Sequence, residues 1–154
     1  MKHVLIVGDN MIANLPVRNT ENTRYKIDLC ANTTALEVGE SKLFSYLVKK
    51  ITTTDWIVIC FGNIDLLLGD KMFDVLKNVL YLYTVAKQHT DNVIVMSSLD
   101  RFYEYNMEIF MRVKITCNII GELEPRHFDT RYPNSRGRRK ILHAIKKIIR
   151  HYKK

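Results

Sequence analysis

Four short runs of β-branched and aliphatic residues most constrain this chain, because such runs leave no polar face to turn toward water. His3–Gly8 (HVLIVG), Trp56–Phe61 (WIVICF) and Asn92–Ser97 (NVIVMS) are nearly continuous, and Tyr25–Ala31 is a weaker fourth. Strands so composed are covered on both faces, as interior strands of parallel sheets are. Helical patterns separate them. Glu40–Ile51 sets Leu43, Phe44, Leu47 and Val48 at helical spacing, and Lys71–Gln88 repeats the pattern from Met72 through Val85. Strand–helix alternation with short connections predicts right-handed crossovers and a parallel sheet. The expected fold is a three-layer α/β sandwich. Tyr105–Leu123 is less regular, and we expect a helix near Tyr105–Met111 followed by a fifth strand near Val113–Ile119.

A chain of 154 residues suits one domain, taken as residues 1–154, with a core of useful size. No run approaches the ~20 apolar residues of a membrane span. The opening apolar run, Val4 to Val7, is too short for a secretory signal, so a cytoplasmic location is expected. Cys30, Cys60 and Cys117 each lie in a strand-like stretch without a CxxC pair, which reads as buried and reduced. The five histidines show no metal-ligand spacing, and neither a metal nor a cofactor is expected.

Charge is distributed unevenly. Met1 to Pro125 carries 13 Lys/Arg against 15 Asp/Glu, whereas Arg126 to Lys154 carries 11 against one, a net of +10. Asn134-Ser135 offers a cap for a final helix from about Arg136 to Tyr152. On that helix Ile141, Leu142, Ile145, Ile148, Ile149 and Tyr152 form one stripe. Arg139, Lys140, His143, Lys146, Lys147, Arg150 and Lys154 occupy most of the opposite face, and Arg138 falls on the apolar side. Such a helix docks on a sheet and still presents a basic ridge. A polyanionic partner is the expectation.

Three segments, in order, resemble the SGNH (GDSL-type) hydrolase family. Leu5-Ile-Val-Gly-Asp-Asn10 is similar to the opening strand and its Gly-Asp-Ser turn. The second, Trp56 to Asp65 with Gly62-Asn-Ile-Asp65, is similar to the Gly-x-Asn-Asp block. The third, Asp129-Thr-Arg-Tyr-Pro-Asn134 running on to Gly137, is similar to the Asp-x-x-His-x-Asn-x-x-Gly block before the last helix. The resemblance implies a flavodoxin-like parallel sheet with a site at the carboxyl ends of its strands. The same features also read as plain structure: Gly8-Asp9 as a strand-to-helix turn, Asp65 as a cap for the following segment, and Pro133-Asn134 as a helix entry.

The family's chemistry needs a serine nucleophile, a histidine oriented by an aspartate, and oxyanion donors. By the resemblance, the nucleophile position holds Asn10, whose carboxamide forms no acyl-enzyme. The base position holds Tyr132, and a phenol, ionising near pH ~10, is poorly matched to taking a proton near neutrality. Ile64 stands at the oxyanion asparagine, with Asn63 beside it as a substitute donor, and Gly39 is a loose match to the oxyanion glycine. Asp129 keeps the family residue. These four positions of the degenerate site, Asn10, Ile64, Asp129 and Tyr132, three of them departing from the family residue, lead us to expect no enzyme and no small-molecule substrate.

A degenerate site with a basic terminal helix is similar in type to the C-terminal domain family of insect Oskar proteins. That resemblance implies messenger-RNA binding, in germ plasm or related ribonucleoprotein granules. Arg126, Arg131, Arg139, Lys140, Lys146, Lys147, Arg150 and Lys154 are the expected phosphate contacts, with Tyr132 either stacking on a base or plugging the vacated pocket. A divergent esterase or acyl hydrolase and a protein-interaction scaffold are the competing readings. A membrane-lying role for the last helix is disfavoured, since its apolar stripe is needed to cover the sheet.

Overall fold

In the computed structural model, which describes residues 1–53 and 55–152, five parallel strands form the centre of the molecule. The chain runs β1 (Lys2–Gly8), β2 (Thr23–Leu29), α1 (Ala35–Glu40), α2 (Leu43–Val48), β3 (Trp56–Cys60), α3 (Asn63–Leu67) and α4 (Met72–Lys87). It continues through β4 (Val93–Met96), α5 (Tyr103–Arg112), β5 (Ile115–Cys117), α6 (Ile119–Glu122), the short strands β6 (Phe128–Asp129) and β7 (Tyr132–Pro133), and α7 (Ser135–His151). The main sheet has the order β2-β1-β3-β4-β5, all parallel, and β6–β7 is a separate antiparallel pair. β1 lies at the topological switch point, where chain order reverses and ligand crevices open at the strands' carboxyl ends.

Alternation along the strands sorts the core into two layers. Leu5, Val7, Ile57, Ile59, Val93 and Val95 face the side covered by α1, α2, α4 and α5. Val4, Ile6, Val58, Ile94 and Met96 face the other side, where Ile141, Ile145 and Ile149 of α7 and Ile120 of α6 pack. This is the expected α/β/α sandwich, and the interior strands are buried on both faces as their composition required.

The differences are local. The helix expected over Glu40–Ile51 is two helices, broken where Lys42 adopts a left-handed φ of 60°. α1 begins earlier, at a capping box in which the Thr34 hydroxyl takes the Glu37 N–H and the Glu37 carboxylate takes the Thr34 N–H. The fifth strand is only Ile115–Cys117, because α5 runs on to Arg112. Arg138 leaves the apolar side of α7 by bending back to donate to the Pro133 carbonyl at 3.1 Å and the Ser135 hydroxyl at 3.2 Å. No described helix is long and apolar enough to cross a membrane.

Candidate functional site

The carboxyl ends of β1 and β3 meet tightly. A side chain at Gly8 would run into the Cys60 carbonyl, so glycine is what lets the chain turn there into the 3-10 turn Asn10–Ile12. Asp9 caps that turn, its Oδ1 accepting the Met11 N–H at 3.1 Å. Asn63, at the start of α3, donates to Asp9 from its backbone at 3.2 Å and from its side chain at 3.1 and 3.2 Å. Ser98, just past β4, donates its hydroxyl to Asn63 Oδ1 at 2.7 Å, and its own N–H is held by Asn106 of α5 at 2.7 Å. One buried chain of hydrogen bonds thus fastens the ends of β1, β3 and β4 together. Burial pushes the Asp9 carboxyl up to about 7, against the lowering effect of the N–H donors of Met11 and Asn63.

The expected site residues divide into those the fold brings together and those it does not. Asn10 sits half-exposed on the turn, donating from Nδ2 to Asn32 Oδ1 at 3.1 Å while its Oδ1 accepts the Asn32 N–H at 2.6 Å. The β6–β7 hairpin packs against this turn, with Tyr132 on the cluster that contains Met11 and Ile12. Asp129 pairs directly across from Tyr132, and directly opposed residues project from one face of a ladder. The hairpin thus sets Tyr132, with Asp129 opposite it, against the turn that carries Asn10. Asn63 is corrected as an oxyanion donor, because its side chain is buried and committed to Asp9. Gly39 is corrected too: it lies inside α1 against the Tyr81 ring. Ile64 occupies α3, half-exposed. Asp65 does act as a cap, though for a different segment than expected, since both its oxygens take the Ala35 N–H at the start of α1.

On the side of the hairpin to which Phe128 projects lies a crevice of about 720 Å³, whose lining includes none of Asn10, Asp129 and Tyr132. Leu67, Leu99, Leu123 and Phe128 give it an apolar lining, and Arg101 and Arg131 stand in its wall. At the base of the hairpin is His127, buried, its Nδ1 accepting the Glu124 N–H at 2.9 Å. Burial and the charges of Lys140 and Arg126 lower its pKa, which keeps the imidazole neutral. Glu124 and His127, three apart after a proline-bounded turn, are the sequence signal for that arrangement. Asn134 completes the base, accepting the Arg136 and Gly137 N–H groups at 3.0 and 3.1 Å and donating to the Arg126 carbonyl at 2.8 Å. Burial raises the thiols of Cys30, Cys60 and Cys117, the last to about 11, so none is poised as a thiolate nucleophile. Among the described residues, no cluster of three or more His, Cys, Asp or Glu is arranged to hold a metal ion.

The basic ridge is formed by α7. Arg139, Lys140, Lys147 and Arg150 are exposed, Lys146 is half-exposed, and none pairs with a carboxylate among the described residues. Arg131 stands apart in the crevice wall, and Arg126 is tied to Glu124 at 2.7 Å. Lys154 lies outside the described residues.

No family model and no curated protein sequence matches the chain. Solved structures do. A member of the lipolytic G-D-S-L family from Veillonella parvula superposes with a TM-score of 0.77 at 14% identity, covering 99% of this chain and 100% of that one. The aryl esterase of M. smegmatis gives 0.73 at 15%, covering 97% and 99%. The psychrotrophic esterase EstA of Pseudoalteromonas gives 0.71 at 14%, again covering 97% and 99%. The fold is that of the SGNH hydrolases. The expectation that the chain is not an enzyme is corrected to this extent: the neighbours that share its fold are esterases and a lipolytic protein.

Proposed function

We propose that the chain is a divergent ester hydrolase that uses water directly, without an acyl-enzyme. The observation that carries this reading is the packing of the hairpin that holds Tyr132 opposite Asp129 against the turn that holds Asn10. A carboxamide and a phenol are poor nucleophile and base, but both are sound donors to a developing oxyanion. In this scheme Asp129 takes a proton from water as the water oxygen attacks the ester carbonyl. The carbonyl oxygen gains the charge and accepts hydrogen bonds from the Tyr132 hydroxyl and Asn10 Nδ2. Collapse expels the alkoxide, which recovers the proton from Asp129. The carboxylic acid is the second product.

Magnitudes set the expectation. Serine hydrolases stripped of their triad retain roughly 10³–10⁴-fold catalysis from oxyanion donors and binding alone. Slow turnover of p-nitrophenyl acetate and butyrate in that range is expected from the full chain. Asp129→Asn and Asn10→Ala should each lower it at least tenfold. Turnover at the buffer rate, or turnover indifferent to both substitutions, would remove the reading.

A second reading is favoured by a separate observation, the cations of α7 that pair with no carboxylate among the described residues. Here the ridge binds RNA through phosphates, in line with the likeness of type to the Oskar C-terminal domains, and granule localisation would follow from the RNA. Removing one cation that neutralises a phosphate should reduce the slope of log affinity against log salt by about 0.7 for a single strand. Reversing Arg139, Lys147 and Arg150 to Glu is expected to abolish the binding. Affinity unmoved by both salt and charge reversal would exclude α7 as the contact.

A further inference from the structure

We infer that the nucleic acid of the second reading is single-stranded and leaves α7 across the sheet edge at β2, with a base stacked on Tyr25. The inference rests on that reading and adds residues and a strandedness to it. β2 is an edge strand whose outer backbone is partly capped by Asn19 and Thr20, which leaves its exposed side chains, Arg24 and Lys26, at the rim of the sheet. Tyr25 projects to the α7 side, half-buried, with the Lys146 ammonium 5.7 Å from its ring centroid. The positive charge of Arg150 also reaches the phenol.

Residues alternate along a strand, so Arg24 and Lys26 project to the opposite side. There they line a recess of about 350 Å³ together with Lys50 and His3. Arg24 and Lys50 make no ion pair among the described residues, and Lys26 reaches Asp28 only at 3.6 Å. The nearest other acid, Asp55, is buried, accepting the His3 and Thr52 N–H groups at 3.4 and 3.2 Å. Cations therefore stand on both sides of the edge strand, continuing the ridge of α7 around it. Charged residues on an edge ordinarily keep strands from pairing between molecules, which accounts for Lys26 alone. It does not account for an accessible aromatic ring with a cation over its face.

A ring so placed suits one form of polyanion. Duplex bases are stacked on each other and offer no face to a side chain, whereas an unpaired base does. On binding, the base takes the ring face and Lys146 moves to the adjacent phosphate. The interaction is stacking plus charge, which does not read the 2′-hydroxyl.

Fluorescence anisotropy with the full chain tests this, using labelled 12-nucleotide oligo(U), oligo(dT) and a 12-base-pair RNA duplex. Tyr25→Leu keeps the apolar packing and removes the ring, and circular dichroism confirms that it is folded. It should weaken oligo(U) roughly 5- to 100-fold and leave the duplex unchanged, while Tyr25→Trp restores binding. Arg24→Glu with Lys50→Glu should lower the salt slope by about 1.4, as two phosphates left without a cation would. Equal affinity of Tyr25→Leu and the parent for oligo(U), or an equal loss on the duplex, overturns the inference. If that occurs while reversal of Arg139, Lys147 and Arg150 still abolishes binding, the RNA reading stands and only the β2 path falls. No binding of any oligonucleotide overturns both, and binding of oligo(dT) alone overturns RNA as the partner.

Discussion

Replacing Asp9 by Asn makes the buried hydrogen-bond chain report on itself. The carboxyl of Asp9 is fully buried and is raised from its ordinary 3.8 to about 7, so the native state holds a proton that the unfolded chain releases. Stability falls with pH wherever the unfolded state binds fewer protons. This group's contribution is therefore complete below about pH 4 and is lost as pH rises toward 7. A shift of about three pK units corresponds to roughly 4 kcal/mol, of which about 2.5 accrues between pH 5 and pH 8. A carboxamide cannot titrate. Its oxygen can still accept the Met11 N–H, and a flip of the Asn63 amide would let the introduced NH₂ donate to Asn63 while the Ser98 hydroxyl turns to accept, but the Asn63 backbone N–H loses its acceptor. That loss costs about 1–3 kcal/mol at every pH. In urea unfolding at pH 5, 6, 7 and 8, the stability of Asp9→Asn relative to the parent should thus climb by about 2.5 kcal/mol across the series. A difference that stays flat with pH would refute the claim that burial holds a proton on Asp9 up to near neutrality.

Two further outcomes concern stability. The Tyr105 hydroxyl is buried without a hydrogen-bond partner among the described residues, so Tyr105→Phe should be neutral or stabilising by up to about 1 kcal/mol in the same urea assay. Asn134→Ala removes the α7 cap and the bond to the Arg126 carbonyl, and should destabilise by about 1–2 kcal/mol, read as a lower thermal midpoint.

The sheet was legible because its strands are buried on both faces: Val4 to Val7, Trp56 to Cys60 and Val93 to Met96 carry almost no polar side chain to blur the pattern. The β2 edge was less so, since Arg24, Lys26 and Asp28 interrupt it where one side meets water. The start of α1 was obscured although Thr34-x-x-Glu37 is a capping box, because the apolar spacing beginning at Leu43 is the stronger pattern. At the site, Asn10, Tyr132 and Asp129 could be placed by resemblance alone. Nothing local in Asp129 to Pro133 announced a hairpin, whose turn depends on Thr130 adopting a φ of 58°. The role of Asn63 was not legible either. An asparagine beside a catalytic-looking block and one buried against an aspartate differ only in which way the fold turns it.

That distinction bears on what the fold has kept. Asp9, Asp65 and Asn134, all in segments that resemble the family's blocks, are engaged in holding the structure: Asp9 to Asn63, Asp65 to the α1 terminus, Asn134 to the start of α7. The positions that differ from the blocks they resemble, Asn10 and Tyr132, make no such hydrogen bond beyond the link from Asn10 to Asn32, Tyr132 only packing on the Met11–Ile12 cluster. If the scaffold is held by the other residues, it should accept a serine and a histidine at those two positions. In Asn10→Ser with Tyr132→His, the hydroxyl stands where the turn packs on the hairpin, and the imidazole stands opposite Asp129 on one face of it. Ser, His and Asp would then share the arrangement in which imidazole takes the serine proton and the carboxylate holds its tautomer. The double variant should be labelled covalently by a fluorophosphonate probe, whereas the parent and each single variant should not. Absence of labelling in a double variant whose unfolding midpoint matches the parent would mean that the hairpin does not bring residue 132 to residue 10, and the water-attack scheme, which needs the same convergence, would fall with it.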